Sequence, residues 1–435
     1  MKKIQFFLIL IIILICCLAG YYFFFLDKVS PDIKILNGRY IGGHNNALSV
    51  VVTDDRSLIK KVDILIKQNK KEKNIVFKDN NSTRVEYKIN LKEMGFSDGK
   101  LSICISAWDR SLNNFGTGNI KQIEKEFILD TTPPSIYVKT HRHNLKIGGS
   151  GVAGYFVSEP VKKTGIEVGG YLFPAYKYNK EDYICFFSIP YWIQDRKITP
   201  WIVAIDYAGN TQKIPLNAYI KKTKFPSTSI NISDKFLITK MAQFQNEYPS
   251  LKPLEIFLKV NRELRKKNRE KLKEIGLETE PKILFKGAFL RLPNSARKEA
   301  FGVRRSYFYK GEKIDEQTHL GIDLASIARA EVPAANSGKV VFAGWFGIYG
   351  NTVIIDHGFG VQSLYGHLSY LGVKKGQFVN KGDIIGRTGA SGLAGGDHLH
   401  FGILISGIPV DPVEWWDKNW IKNNIIYNLK TLSRE

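Results

Sequence analysis

Cysteine is scarce in this chain of 435 residues: four in all, two of them adjacent at Cys16 and Cys17. Those two fall inside an apolar run. Cys104 and Cys185 are each flanked by strand-like apolar residues, so each reads as a buried thiol in its own block. None stands beside the histidine clusters described below, which argues against cysteine as a metal ligand. Acidic residues are also in deficit, 41 against 63 lysines and arginines, for a formal net charge of +22. A surface so basic favours polyanions: nucleic acid, acidic lipid headgroups or an anionic cell wall. Apolar and charged contents of 44% and 24% are those of folded domains, and the length allows more than one of them.

The N-terminus narrows these choices. Lys2 and Lys3 precede an uncharged apolar run from Phe6 to Leu26. Its length is close to the roughly 20 residues that cross a bilayer. It has no Ala-x-Ala cleavage site and exceeds the roughly 7–15 apolar residues of a cleaved signal. Neither Cys16 nor Cys17 follows a small residue, which argues against a lipid-modified cysteine. Residues 1–26 therefore read as a signal anchor, a transmembrane helix with its lysines in the cytoplasm and the remainder outside; a cleaved signal is the alternative. That topology disfavours nucleic acid as a partner and favours the cell wall. No wall-sorting motif is present.

Residues 27–131 read as a β module. Leu48–Val52, Val62–Ile66 and Leu101–Ile105 are β-rich, with turn signals such as Asp79-Asn-Asn-Ser82 between them. Asp130-Thr-Thr-Pro-Pro134 cannot sit in a central strand and reads as a joint. Residues 132–222 form a second β-rich block. Ala107-Trp-Asp109 near the end of the first block echoes Ala204-Ile-Asp206 near the end of the second, which continues Tyr207-Ala-Gly-Asn210. With the joint, this resembles bacterial immunoglobulin-like modules. The resemblance implies two β-sandwiches, serving as spacers or as glycan binders. His44, His141 and His143 lie in these blocks, and the His141-Arg-His143 pair reads as surface.

Residues 223–282 change character. Ser233 is a candidate helix N-cap. Apolar residues from Leu254 to Ile275 recur among many lysines, arginines and glutamates, as on a partly amphipathic helix. The block reads as a helical connector, with Arg262–Lys273 as a solvated face or a contact for anionic polymer.

From Phe285 short apolar strands and glycines return, and the candidate chemistry is here. In Gly396-Asp-His-Leu-His-Phe401, two histidines two apart share one strand face, while Leu399 and Phe401 point the other way. In His319-Leu-Gly-Ile-Asp323 a histidine and an aspartate four apart share a face if the strand is continuous. Leu364-Tyr-Gly-His367 adds a further histidine. Imidazole and carboxylate grouped in this way suggest a metal site, and three protein ligands leave a zinc position open, as catalysis requires.

In this order, with Val332-Pro-Ala-Ala335, Gly338-Lys-Val-Val341 and Ile355-Asp-His-Gly358 between them, the three elements resemble the lysostaphin/LytM-type zinc metallopeptidases. The likeness runs over residues 283–417. It implies a mainly antiparallel β domain of the duplicated-hybrid-motif type. It also implies zinc held by His319, Asp323 and His400, with His367 and His398 as the catalytic histidines, and hydrolysis of the peptide cross-links of bacterial peptidoglycan by a zinc-activated water. His357 is implied to be structural, and Tyr365 reads as packing. Two rival readings are a regulator of another wall hydrolase and a purely structural wall protein. The whole chain then reads as mainly β, with a tail over residues 418–435 that packs at its aromatics.

Overall fold

The computed structural model of the chain describes residues 2–25, 27–43, 47–193 and 198–432, so His44 lies outside the described residues. The chain is mainly β and divides into two compact units, Met1–Pro134 with Ile205–Thr211, and Ser135–Ala204 with Gln212–Glu435.

In the first unit the apolar N-terminal run forms one helix, Lys2–Phe25. Among the described residues no helix is long and apolar enough to cross a membrane. The run expected to cross the membrane is therefore a helix, with no span among the described residues.

The first β block is a sandwich. Its five-stranded sheet runs Tyr40–Gly42, Ile120–Asp130, Gly99–Asp109, Ile59–Gln68, Lys71–Lys78, and its three-stranded sheet Asp32–Ile35, Ala47–Thr53, Arg84–Asn90. The period of two explains the packing: in Ile59–Gln68 the residues Val62, Ile64 and Ile66 are buried while Lys61, Asp63 and Lys67 face outward. Val50 and Ile89 from the smaller sheet meet Ile64, Ile103 and Phe127 from the larger in one core.

In the second unit, the second β block also forms two four-stranded sheets, and its apolar residues share a core with the C-terminal domain. That domain is built on a sheet ordered Ala296–Glu299, Ile322–Ala325, Leu399–Ile405, Val361–Leu368, Asn351–Asp356, Gly338–Trp345, Phe378–Val379. Both faces are covered. Phe401, Ile403 and Ile405 enter the core shared with the second block, while Ile354, Leu364 and Leu404 pack against the connector residues Phe257, Leu272 and Ile275. Burial on two sides is why these strands read as nearly unbroken apolar runs.

The connector departs from a plain helical segment. Ser233 does cap the helix Asp234–Met241, accepting from the Phe236 amide. Ahead of it, however, Ser227–Asn231 is a strand that pairs in parallel with Arg304–Tyr309. Within the basic run, Arg265 and Asn268 are buried. Arg265 donates to the carbonyl and to the side-chain oxygen of Asn261, so part of the expected solvated face is internal structure. The tail is helical to Leu432, and Trp415, Ile421, Ile425 and Leu432 are buried.

Candidate metal centre

The strand Leu399–Ile405 lies between Ile322–Ala325 and Val361–Leu368. Asp323 stands opposite His400 across the first ladder, and Gly366 stands opposite His400 across the second. The register delivers a carboxylate and an imidazole to one point. His319 reaches the same point by a route the spacing does not suggest. The strand Glu312–Thr318 ends just before it and the next begins at Ile322, so His319 and Asp323 are not on one continuous strand. The break passes through Gly321, where an added Cβ would lie 2.4 Å from His400 Nε2 and 2.7 Å from the Phe401 carbonyl oxygen. Glycine there lets the backbone run against the His400 ring.

Three donor atoms converge. His319 Nε2 is 3.0 Å from Asp323 Oδ1 and 3.1 Å from His400 Nδ1, and His400 Nδ1 is 3.0 Å from Asp323 Oδ1. His319 Nδ1 is 2.9 Å from the Ala300 carbonyl, which can only accept, so in the neutral ring the proton is on Nδ1 and Nε2 is bare. The bare His319 nitrogen faces a carboxylate oxygen, two lone pairs aimed at one another, and His400 Nδ1 stands at the same point as a third ligating atom. A divalent cation relieves that arrangement, and two imidazoles with one carboxylate suit zinc. The donor set fits the metal that the family resemblance implies.

The remaining two histidines are oriented in the same way. His367 Nδ1 donates to the Ser391 carbonyl at 2.8 Å and His398 Nδ1 to the Gly396 carbonyl at 2.9 Å. Each neutral ring is thereby left with a bare Nε2. The two rings are 4.9 Å apart, and His398 Nε2 is 3.5 Å from Asp323 Oδ1. His367 holds a φ of +63°, a costly backbone state for a residue other than glycine and one that occurs at functional sites.

Electrostatics separate the histidines. Burial lowers His400 to about 4, against the opposing pull of the Asp323 carboxylate. Burial, with His398 and His400 nearby, pushes His367 well below its usual range. Both rings are neutral near pH 7, with lone pairs available. For His398 burial acts downward too, but the hydrogen bond and charge of Asp323 outweigh it and its pKa is raised. Desolvation would raise Asp323, but the surrounding histidines hold it well below the usual carboxylate range.

These residues line a cavity of about 360 Å³, walled on the connector side by Ile230, Phe236 and Phe257. Arg305 also lines it; nothing in the sequence singled this residue out. Its guanidinium is 3.0 Å from Asp323 Oδ2 and pairs with Glu299. It occupies the outer oxygen of Asp323 and leaves Oδ1 in the triangle. Tyr349 is buried with its ring 5.3 Å from that of His400.

Other expected positions fall as follows. His357 is fully buried, with Nδ1 2.7 Å from the Ser337 carbonyl and Nε2 2.7 Å from Ser363 Oγ, away from the triangle. Tyr365 is buried and receives the Ala335 amide on its hydroxyl, a packing role. His141 is exposed, but His143, expected at the surface, is buried: its ring bonds Thr140 Oγ1 and the Asn217 carbonyl. A partner 74 residues away in sequence makes that burial invisible to local pattern.

Comparison with known proteins agrees with this geometry. Residues 317–412 match the model of peptidase family M23. Over 95 residues, 22% of each chain, the protein is 43% identical to the DD-carboxypeptidase/endopeptidase Mpg of Neisseria meningitidis serogroup B. Over 95 residues, 22% of this chain and 23% of the other, it is 36% identical to the murein hydrolase activator EnvC of Escherichia coli K12. It is 30% identical to the catalytic domain of the antimicrobial peptidase lysostaphin from Staphylococcus simulans, covering 29% of this chain and 94% of that one with a TM-score of 0.26. The chain thus spans less than a quarter of the length of these curated relatives. The His319–Asp323–His400 triangle, with His367 and His398 beside it, lies within the matched residues, and the C-terminal part of the chain carries a peptidase M23 domain of the lysostaphin/LytM type.

Proposed function

We propose that the chain is a zinc-dependent endopeptidase hydrolysing the peptide cross-links of bacterial peptidoglycan. The observation that carries this reading is the triangle of ligating atoms at 3.0–3.1 Å, set in a cavity that also holds two further histidines. His319, Asp323 and His400 would hold zinc, which supplies a Lewis acid effective at neutral pH. His398 Nε2 is the base for the attacking water; its neighbour Asp323 favours the protonated ring that results. His367, fixed by Ser391, hydrogen-bonds the developing oxyanion or passes a proton to the leaving amine. Arg305 keeps Asp323 turned inward.

The similarity to an activator favours a second reading, in which the domain stimulates another hydrolase. Such a role needs a binding face and gives no use to three converging metal-ligating atoms. Incubating the zinc-loaded full-length protein with purified peptidoglycan and identifying the new peptide ends separates the two. New peptide ends at the cross-links are expected. Absence of new ends, with stimulation of an added hydrolase, refutes the enzyme.

We further infer that the N-terminal helix holds the protein at the membrane with the peptidase domain outside, the two β blocks serving as immunoglobulin-like spacers. Lys2 and Lys3 ahead of the apolar run, and the exposed apolar side chains from Ile4 to Leu18, support this. Fractionation should place the full-length protein in the membrane; a soluble form starting after about residue 20 refutes the anchor.

A further inference from the structure

A second group of converging acids lies in the first unit, far in sequence from the zinc ligands. Asp27, Asp54 and Asp109 each offer an oxygen, and the three oxygens lie within 4.8 Å of one another. Asp54 and Asp109 are 5% and 0% exposed. Among the described residues no lysine or arginine pairs with any of the three, although the chain carries 63 such residues. Three like charges in so small a volume repel, and burial strengthens the repulsion.

Asp54 supplies the deciding detail. Its Oδ1 accepts the backbone amides of Arg56 and Ser57 at 2.9 and 2.7 Å. Its Oδ2 is buried with no hydrogen-bond partner. A native protein rarely leaves a buried carboxylate oxygen without a donor or an ion. Further oxygens, three of them neutral and one from the Asp109 carboxylate, crowd the Asn119 amide. The carbonyls of Asp27 and Val29, Asp109 Oδ2 and Ser111 Oγ all lie within 3.1 Å of Asn119 Nδ2. One amide nitrogen has two hydrogens for these four acceptors. Asn119 cannot be turned over to change this, because its Oδ1 accepts from Asn113 at 2.6 Å.

We propose that Asp27, Asp54 and Asp109 bind a calcium ion, which fastens the segment Asp27–Val29 to the β module. The donors are all oxygen, which excludes a preference for zinc or copper. They combine carboxylates with neutral oxygens in an irregular cluster, which suits the six to eight flexible ligands of calcium better than the strict octahedron of magnesium. An echo in the same unit shows what the cluster adds. Asn210 donates its amide to Asp206 Oδ1 and its side chain to Asp206 Oδ2 and the Asp130 carbonyl, as Asn119 does with Asp109 and the Asp27 carbonyl. Asp130 and Asp206 also stand in a group of acids, so what sets the first cluster apart is the buried, unpartnered oxygen of Asp54.

Calorimetric titration of calcium chloride into the zinc-loaded full-length protein tests this. Saturable binding is expected, with a Kd no weaker than about 1 mM, the range of extracellular calcium modules. Asp54→Asn keeps Oδ1 for the two amides while removing the charge, and should weaken that binding at least about 100-fold. Asp27→Asn, at a half-buried position before the first strand, should weaken it too and cannot unfold the sandwich core. Calcium should also slow cleavage after Lys28 by a lysine-specific protease in the wild-type protein and not in Asp27→Asn. No uptake by wild type, or calcium binding unchanged in both variants, overturns the proposal and leaves the Asn119 clamp as the whole structure. Peptidoglycan cleavage is not the readout, so failure here leaves the zinc reading untouched.

Discussion

Gly321→Ala places a methyl group where the backbone passes the His400 ring. The new Cβ would sit 2.4 Å from His400 Nε2, 2.6 Å from its Cε1 and 2.7 Å from the Phe401 carbonyl oxygen. Those contacts are about 1 Å inside the roughly 3.5–4.0 Å at which non-bonded carbons rest. The carbonyl is locked in the ladder with Ile322, so the imidazole is the group that yields. His400 is hemmed by Tyr349 and His319, with ring centroids at 5.3 and 5.0 Å. A displacement of about 1 Å must therefore open the 3.0 Å spacing from Nδ1 to Asp323. Zinc tolerates ligand distances within only about 0.2 Å of ideal, and disturbing what orients a ligand costs about 10–100-fold in affinity. Gly321→Ala is expected to lose at least that much zinc affinity by competition with a chromogenic chelator, and peptidoglycan cleavage with it. Gly395→Ala and Gly396→Ala, with nothing within 4 Å of the added atom, should bind zinc as wild type does. A Gly321→Ala protein with zinc affinity within about twofold of wild type would refute the placement of the ring.

The histidine roles separate by substitution. His400→Ala should lose both zinc and cleavage, whereas His398→Ala and His367→Ala should keep zinc while the rate falls roughly 10²–10⁴-fold; zinc analysis beside the cleavage assay reads both. His357→Ala removes the partner of Ser363 Oγ inside the core and should cost about 2–4 kcal/mol in urea unfolding, with zinc stoichiometry unchanged. Glu414 titrates at about 7, because burial raises it more than Lys146 at 3.7 Å lowers it, that lysine being closer to Asp411 at 2.7 Å. The fold then binds the Glu414 proton more tightly than the unfolded chain does, so stability falls as pH rises from about 4.5 to about 7, by on the order of 3 kcal/mol. Glu414→Gln should remove that slope and be the more stable protein at pH 8; equal slopes in denaturant titrations across this range would refute the assignment.

The site was more legible than its surroundings because its atoms come from strands, and a strand reports its facing residues every second position. The run Leu399 to Ile405 announces both its core face and the imidazole between, and the structure pairs it as that pattern demands. What stayed hidden depends on partners distant in sequence. Arg305 is one arginine among many until the strand Arg304–Tyr309 is laid beside the connector strand Ser227–Asn231 and brings its guanidinium to Asp323. That connector strand is itself short and polar, ahead of a stretch whose periodicity is helical, so it left no signal. His319 was assigned to the right cluster by the wrong geometry. A spacing of four fits a continuous strand, but the chain turns at Gly321 and delivers the ring from outside it.

The turn also bears on whether the domain is an enzyme or an activator. A binding surface is indifferent to which side chains fill the interior behind it, provided they pack. The interior here is expensive instead. His319 Nε2, His400 Nδ1 and Asp323 Oδ1 face one another at 3.0–3.1 Å, His400 Nε2 is buried without a partner, and His367 is held at a positive φ. Leucine or methionine at these positions would fill the same volume without unsatisfied polar atoms. Arg305 neutralises only the outer oxygen of Asp323 and does nothing for the nitrogens. A cation inside the triangle offsets the cost of bringing the His319, Asp323 and His400 atoms together, and the cavity beside it holds two oriented histidines, which is the arrangement the hydrolytic reading proposed above would use.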